Sequence, residues 1–289
     1  MRRSEETHED LDEVDSYYER ILPFYELETR VRGDLEFWKG LVRRFRPASV
    51  LEIGAGLGRV TAALAPLAAH VAGIEPSVAM LARARRRPSA SRAVLVAGDV
   101  RRLPLSSRFD LIVAPGDPLC HVTSPAGRVA ALAEIARHLA PGGRFVLEGL
   151  RLAPGPPRRC RRRVPTGRGD LIVEETWDPL ADGLWRATFR YRIGRRAAQA
   201  SFVARPWTAE TVARFFAAAG LVVEETWGDF SGAPFGPDSL RRIILARRAS
   251  PTTARASEGA ASPRRRAAAR ASRSPAARRA STGTASRAY

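Results

Sequence analysis

Val50-Leu51-Glu52-Ile53-Gly54-Ala55-Gly56-Leu57-Gly58-Arg59-Val60-Thr61 is the stretch that decides the fold. The apolar run 49–53 reads as a short buried strand. It runs into three alternating glycines, Gly54, Gly56 and Gly58, and a helical pattern opens at Arg59. A strand, a glycine turn and a helix start make a nucleotide-sized cradle. Glycine lets backbone approach a ligand closely, and a helix N-terminus presents unpaired N–H groups. The dinucleotide fingerprint G-x-G-x-x-G would put its third glycine at position 59. Here that position is Arg59, and the third glycine comes one residue early. Taken alone, the loop also fits a tight turn without a ligand.

Four further segments follow in order. The run 70–74 ends in Glu75, which lies 21 residues beyond Gly54. Doubly wound folds place an acid about 20 residues past the first glycine, where it accepts from ribose hydroxyls. Pro76-Ser77 is also a good helix start, so Glu75 alternatively reads as a surface acid. The run 93–97 ends in Gly98-Asp99-Val100, and 109–113 reads as a fourth strand. Leu139-Ala140-Pro141-Gly142-Gly143-Arg144-Phe145-Val146-Leu147-Glu148 is the last of them, and it resembles a helix end, a Pro-Gly-Gly turn and a fifth strand. Right-handed crossovers between such strands give a parallel sheet with helices on both faces.

In this order the segments resemble the class I S-adenosylmethionine (SAM) methyltransferases, whose first motif has the form E-x-G-x-G-x-G. Tyr17-Tyr18, Pro23-Phe24-Tyr25, Trp227-Gly228-Asp229-Phe230 and Pro234–Ser239 extend the likeness to amino-sugar and glycine-type N-methyltransferases over roughly 16–248. The resemblance implies an α/β, Rossmann-like doubly wound sheet of seven strands with an antiparallel last strand. It implies SAM as cofactor. Gly54, Ala55, Gly56 and Gly58 would pass under its methionine portion, with Glu52 supporting the amino group and Ala114 nearby. Glu75 would take the ribose, with Pro76 and Met80 also on the cofactor side, and Asp99 and Val100 the adenine. Arg30 or Arg32 would pair with the methionine carboxylate, and Tyr17, Tyr18 or Tyr25 would cover the cofactor.

Ligands of open parallel sheets sit beyond the carboxyl ends of the strands. The loop 114–122 after strand four is therefore the expected acceptor site. In it, His121 is a candidate to orient an acceptor or take its proton, because an ordinary imidazole titrates near working pH. Asp117 is a candidate to pair with a cationic amine, or else to brace the turn. The loop lacks the Asn/Asp-Pro-Pro-Tyr/Phe of amino-methylating DNA enzymes and the Pro-Cys pair of cytosine-C5 enzymes. The paired-glutamate loop of protein arginine methyltransferases is missing as well. These departures favour in-line methyl transfer to an N or O atom of a small molecule. The four His do not cluster with Cys at ligand spacing, so no metal is expected. The competing expectation is an RNA- or protein-directed methyltransferase recruited by a basic tail.

Composition sets the remaining bounds. The chain of 289 residues has 45% hydrophobic content, enough for one sizeable core. No apolar run reaches the roughly 18 residues that span a bilayer, so no membrane partner is expected. The start is acidic through Glu5, Glu6, Glu9, Asp10, Asp12, Glu13 and Asp15, unlike a secretory signal. The cysteines Cys120 and Cys160 suit a reducing compartment, and the cytoplasm is the expected location. Of the net charge of +18, a large share lies in 251–289, which carries nine Arg and one Glu. That tail has no Leu, Ile, Val, Phe or Trp, and 249–289 is expected to be disordered. It could attract nucleic acid non-specifically, but no specific nucleic acid is expected. Residues 1–15 are expected as a flexible acidic lead, and 16–248 as the methyltransferase domain. Within it, 151–206 is expected as an insertion: a basic loop followed by three antiparallel strands, 171–177, 184–192 and 198–204. A monomer or homodimer is expected.

Overall fold

The computed structural model describes residues 2–30, 33–87, 92–152, 155–239 and 241–249. Arg32 and the tail beyond Ala249 lie outside the described residues.

Two helices, α1 (Arg2–Thr29) and α2 (Leu35–Phe45), precede the alternating part. That part runs β1 (Ser49–Ile53), α3 (Arg59–Leu64), β2 (His70–Glu75), α4 (Val78–Ala84), β3 (Val94–Ala97), β4 (Phe109–Ala114), α5 (Pro125–Arg137) and β5 (Leu139–Gly149). Four antiparallel strands follow: β6 (Arg158–Thr166), β7 (Gly169–Pro179), β8 (Trp185–Ile193) and β9 (Arg196–Ala204). The chain closes with α6 (Ala209–Ala218), β10 (Leu221–Trp227) and β11 (Arg242–Arg248). The larger sheet has the order β10-β11-β5-β4-β1-β2-β3, and β11 is antiparallel to both of its neighbours. This is the expected doubly wound sheet with an antiparallel last strand.

The central strands are apolar on both faces because both are covered, as parallel sheets require. Leu51, Ile53, Ile112, Phe145 and Leu147 pack with Leu132 and Ile135 of α5 and Phe215 and Phe216 of α6. Their sequence neighbours Val50, Leu111, Val113 and Val146 pack with Trp38 and Leu41 of α2 and Val60 and Leu64 of α3. Period-2 alternation thus feeds two cores, and buried Glu52 interrupts the second.

Two expectations about boundaries need correction. The acidic start is helical from Arg2 and continuous with the next element, where a flexible lead was expected through residue 15. Acidic side chains favour a helix N-terminus. Further along α1, Val14 and Tyr18 line a cavity while Tyr17, Ile21 and Phe24 are buried against the small sheet. The basic block is a fourth strand, β6, in place of a loop. Its arginines find acids on β7: Arg161 pairs with Glu174 at 3.4 Å, Arg163 with Asp170 at 2.5 Å, and Arg162 with Glu175. Val164 is buried. Charge compensation across a strand pair makes extended structure available to a segment too polar to look like a strand.

Among the described residues no helix is long and apolar enough to cross a membrane. No group of three or more His, Cys, Asp and Glu among them could hold a metal ion.

Leu51 is fully buried at the centre of β1. Leu51→Ala is expected to cost about 2–5 kcal/mol, read as a lowered midpoint in chemical denaturation. A change under about 0.5 kcal/mol would contradict this placement of the core.

Candidate functional site

The order of the large sheet makes the chain step from β1 to β2 and β3, then return to β4 on the other side of β1. The loops after β1 and β4 therefore meet at a topological switch point, where open sheets form a crevice. They meet closely. Gly54 has φ +70°, and a Cβ placed there would lie 2.4 Å from Cβ of Pro118. Only glycine fits this turn without displacing the loop after β4. Gly56 is also left-handed, at φ +53°.

A cavity opens above these loops. Glu52, Gly54, Ala55, Gly56, Glu75, Pro76, Met80, Asp99, Val100, Tyr25 and His121 all line it, as does Tyr18. Four separate β-strand ends and α1 thus bring most of the sequence-predicted residues to one space.

Glu75, at the end of β2, accepts from the Gly56 N–H at 2.8 Å and from the Ser77 N–H at 3.0 Å. Burial outweighs these two bonds and pushes its carboxyl up to about 7. Glu52 accepts from the Thr61 hydroxyl of α3. Burial pushes Glu52 up to about 8, against the Thr61 bonds and the nearby Arg59 charge. Asp99 accepts from the Arg101 N–H at 2.8 Å and pairs with the Arg101 guanidinium at 2.7 Å.

Five expected site residues do not line the cavity. Gly58 caps α3, and a Cβ there would lie 3.0 Å from Cβ of Ala84, so helix packing explains it. Ala114 is fully buried in the core beneath α5 and α6. Tyr17 turns to the small sheet, its ring 4.8 Å from that of Phe202. Arg30 points outward and pairs with Glu26 at 3.0 Å. Asp117 is buried in a left-handed turn, φ +54°, and accepts from the Leu150 N–H at 2.6 Å and the Trp207 indole N–H at 3.2 Å. It braces the turn and does not face the cavity.

Arg59, which the sequence reading did not single out as a candidate, also lines the cavity. Its guanidinium is held end-on by the buried Asp34, at 2.7 and 2.8 Å, and the Trp38 indole also donates to Asp34 at 3.2 Å. Arg59 stands seven positions after Glu52, at the far end of the glycine turn. That placement was the available signal, but the sequence offered it only as a break in a dinucleotide motif.

At the loop after β4, His121 Nε2 lies 3.4 Å from the Tyr18 hydroxyl, and its ring is 4.6 Å from that of Phe202. Burial, then the charge of Arg128, pulls the imidazole down to about 4. His121 is therefore neutral at neutral pH, not poised near it as expected. Burial also holds the Tyr18 hydroxyl protonated. This end of the cavity is aromatic and uncharged.

The raised acids give the unliganded protein a pH signature. Their native state keeps protons that the unfolded chain releases, so stability falls as pH rises. Below about 6.5, His121 acts in the opposite sense. Between pH 6.5 and 8 the loss should be on the order of 2–3 kcal/mol, measured by denaturation at each pH. Glu52→Gln should flatten the slope. A wild-type profile flat over this window would contradict the assigned burial.

Residues 50–143 match the family described as a methyltransferase domain. A dTDP-3-amino-3,6-dideoxy-alpha-D-glucopyranose N,N-dimethyltransferase of Streptomyces fradiae is 39% identical over 110 residues, covering 37% of this chain and 42% of that protein. A cypemycin N-terminal methyltransferase of Streptomyces sp is 26% identical over 242 residues, covering 80% of this chain and 97% of that protein. The chain thus spans under half of the first relative's length and nearly all of the second's. SAM-bound CalS10, an amino pentose methyltransferase from Micromonospora echinaspora, superposes with a TM-score of 0.66 at 24% identity, over 78% of this chain and 96% of that one. Residues 50–143 thus match a methyltransferase domain, and the fold around them is that of solved methyltransferase structures.

Proposed function

We propose that this protein is an enzyme that transfers the methyl group of SAM to an amine nitrogen of a small-molecule acceptor. The observation that carries this reading is that Glu52 and Arg59, at the two ends of one glycine turn, both line the cavity. The Glu52 carboxyl, ionised when it meets the ligand's ammonium, and the Arg59 guanidinium complement the ammonium and carboxylate of an amino acid head group. Arg59, pre-oriented by Asp34, replaces Arg30 and Arg32 as the carboxylate partner in this reading. Glu75 takes the ribose hydroxyls, and Asp99 with Val100 and Met80 takes the adenine.

Bound SAM supplies an electrophilic methyl on a cationic sulfur. The protein's share is to orient the acceptor, exclude water and hold the two reactants within attacking distance. Tyr18, Tyr25 and His121 form a neutral aromatic end suited to that task. With Asp117 turned away, no carboxylate of this loop is available to hold the acceptor as an ammonium ion. The amine then reacts as its free base, which is the nucleophilic form. The preference for nitrogen rests on the two curated relatives, both named as acting at amines. A peptide N-terminal amine is the second reading, favoured by the near full-length match to the cypemycin enzyme.

Methyl-labelled SAM offered with a panel of amino sugars, peptides with free N-termini and amine-free polyols tests the proposal. Label should pass to an amine and not to a polyol. Label only on hydroxyl acceptors, or none on any member while SAM binds, would overturn the acceptor assignment. Arg59→Met and Glu75→Ala should each weaken SAM binding about 10- to 100-fold, the value of one charged hydrogen bond. Unchanged affinity in either variant would remove that residue from the site.

A further inference from the structure

Arg128 of α5 is a fully buried cation with no place in the reaction so far. Its Nε donates to the Val122 carbonyl at 3.0 Å, and Nη2 donates to the Arg205 carbonyl. The guanidinium lies 4.1 Å above the Trp207 ring. Asp117 supplies the opposing charge, and burial still lowers Arg128 to about 10. Arg128 is thus fixed at three points. Two of them belong to the chain returning from the small sheet, and one to the loop that carries His121.

Two buried polar atoms in this neighbourhood have no hydrogen-bond partner among the described residues: Nη1 of Arg128 and Nδ1 of His121. Leaving such groups unsatisfied is costly, so each requires an explanation. The other imidazole nitrogen, Nε2, faces the Tyr18 hydroxyl. A neutral imidazole carries one N–H, and the two possible tautomers differ in energy here. With the proton on Nδ1, a donor would stand unsatisfied beside a guanidinium that is also a donor. With the proton on Nε2, the Nδ1 lone pair can accept from a water that in turn accepts from Arg128. Nε2–H then points to the Tyr18 oxygen and the cavity. The remaining neighbours of His121 do not reverse this choice. Tyr18 of α1 can accept as well as donate, Phe202 of β9 is apolar, and Cys120 is kept as the thiol by burial.

We propose that Arg128 is a positioning residue that holds His121 in the tautomer protonated at Nε2, so that His121 offers the cavity a hydrogen-bond donor and not a base. This step rests on the methyltransferase reading only for its consequence. His121 would then hold an oxygen of the acceptor, a hydroxyl or carbonyl beside the reacting amine. The proton lost by that amine would leave to solvent.

Two-bond proton–nitrogen correlation spectra of the full chain labelled with nitrogen-15 in histidine read the tautomer directly, with His121 assigned by His121→Asn. At pH 7 the Nε2–H form should predominate, and it should persist in Tyr18→Phe. It should lose its predominance in Arg128→Met and recover in Arg128→Lys. A wild-type Nδ1–H form, or loss of Nε2–H in Tyr18→Phe, overturns the proposal, and neither result requires the Arg128 variants to fold. An unchanged tautomer in a folded Arg128→Met also overturns it. SAM titration of the same samples separates the two readings. Failure of the wild type to bind SAM would sink the methyltransferase reading and leave the tautomer result standing.

Discussion

Both oxygens of the Glu75 carboxylate are occupied by backbone, Gly56 N–H on one and Ser77 N–H on the other. This one side chain ties the turn after β1 to the end of β2 and to the start of α4. The neighbouring geometry depends on it. β1 and β2 run in register from Ser49 beside His70 to Ile53 beside Ile74. Gly73 permits the close approach of three segments, since a Cβ there would lie 2.8 Å from Cβ of Ala55 and 2.9 Å from the Thr61 hydroxyl. Burying the carboxylate raises its proton affinity, an opposing cost that polar ligand groups would offset. A stable core and a ligand-ready cradle are in this sense one arrangement.

Around the cradle, α1 works as a two-faced element. Val14, Tyr18 and Tyr25 meet the cavity, while Tyr17, Ile21 and Phe24 meet the inner face of the small sheet. Glu28 near the end of α1 accepts from the Tyr191 hydroxyl at 2.8 Å and pairs with Arg162 of β6. Arg128, Asp117 and Trp207 then stitch the loop after β4 to the entry and exit of the small sheet. The insertion is therefore joined to the walls of the cavity and not merely appended to the fold.

The sheet was legible in the sequence because period-2 apolar runs between glycine turns have few alternative structures. Acids at successive strand ends were legible for the same reason: strand ends are easy to locate. What escaped was whatever depended on long-range pairing. β6 looked like a loop because its acids lie on β7. Asp117 looked catalytic because its partners, Leu150 and Trp207, are distant in sequence. Arg59 looked incidental because Asp34, which orients it, precedes it by 25 positions. The ionisation of His121 was misread because burial and Arg128 shift it, and neither is visible from its local sequence.

The central claim is that the cavity beside Gly54, Gly56 and Glu75 takes adenosine joined to methionine. Calorimetric titration of the full chain with SAM, its demethylated product and NAD tests it most directly. The account predicts saturable one-to-one binding of SAM and of the product in the micromolar range, without comparable binding of NAD. Binding of NAD in place of SAM, or of neither compound, would contradict it.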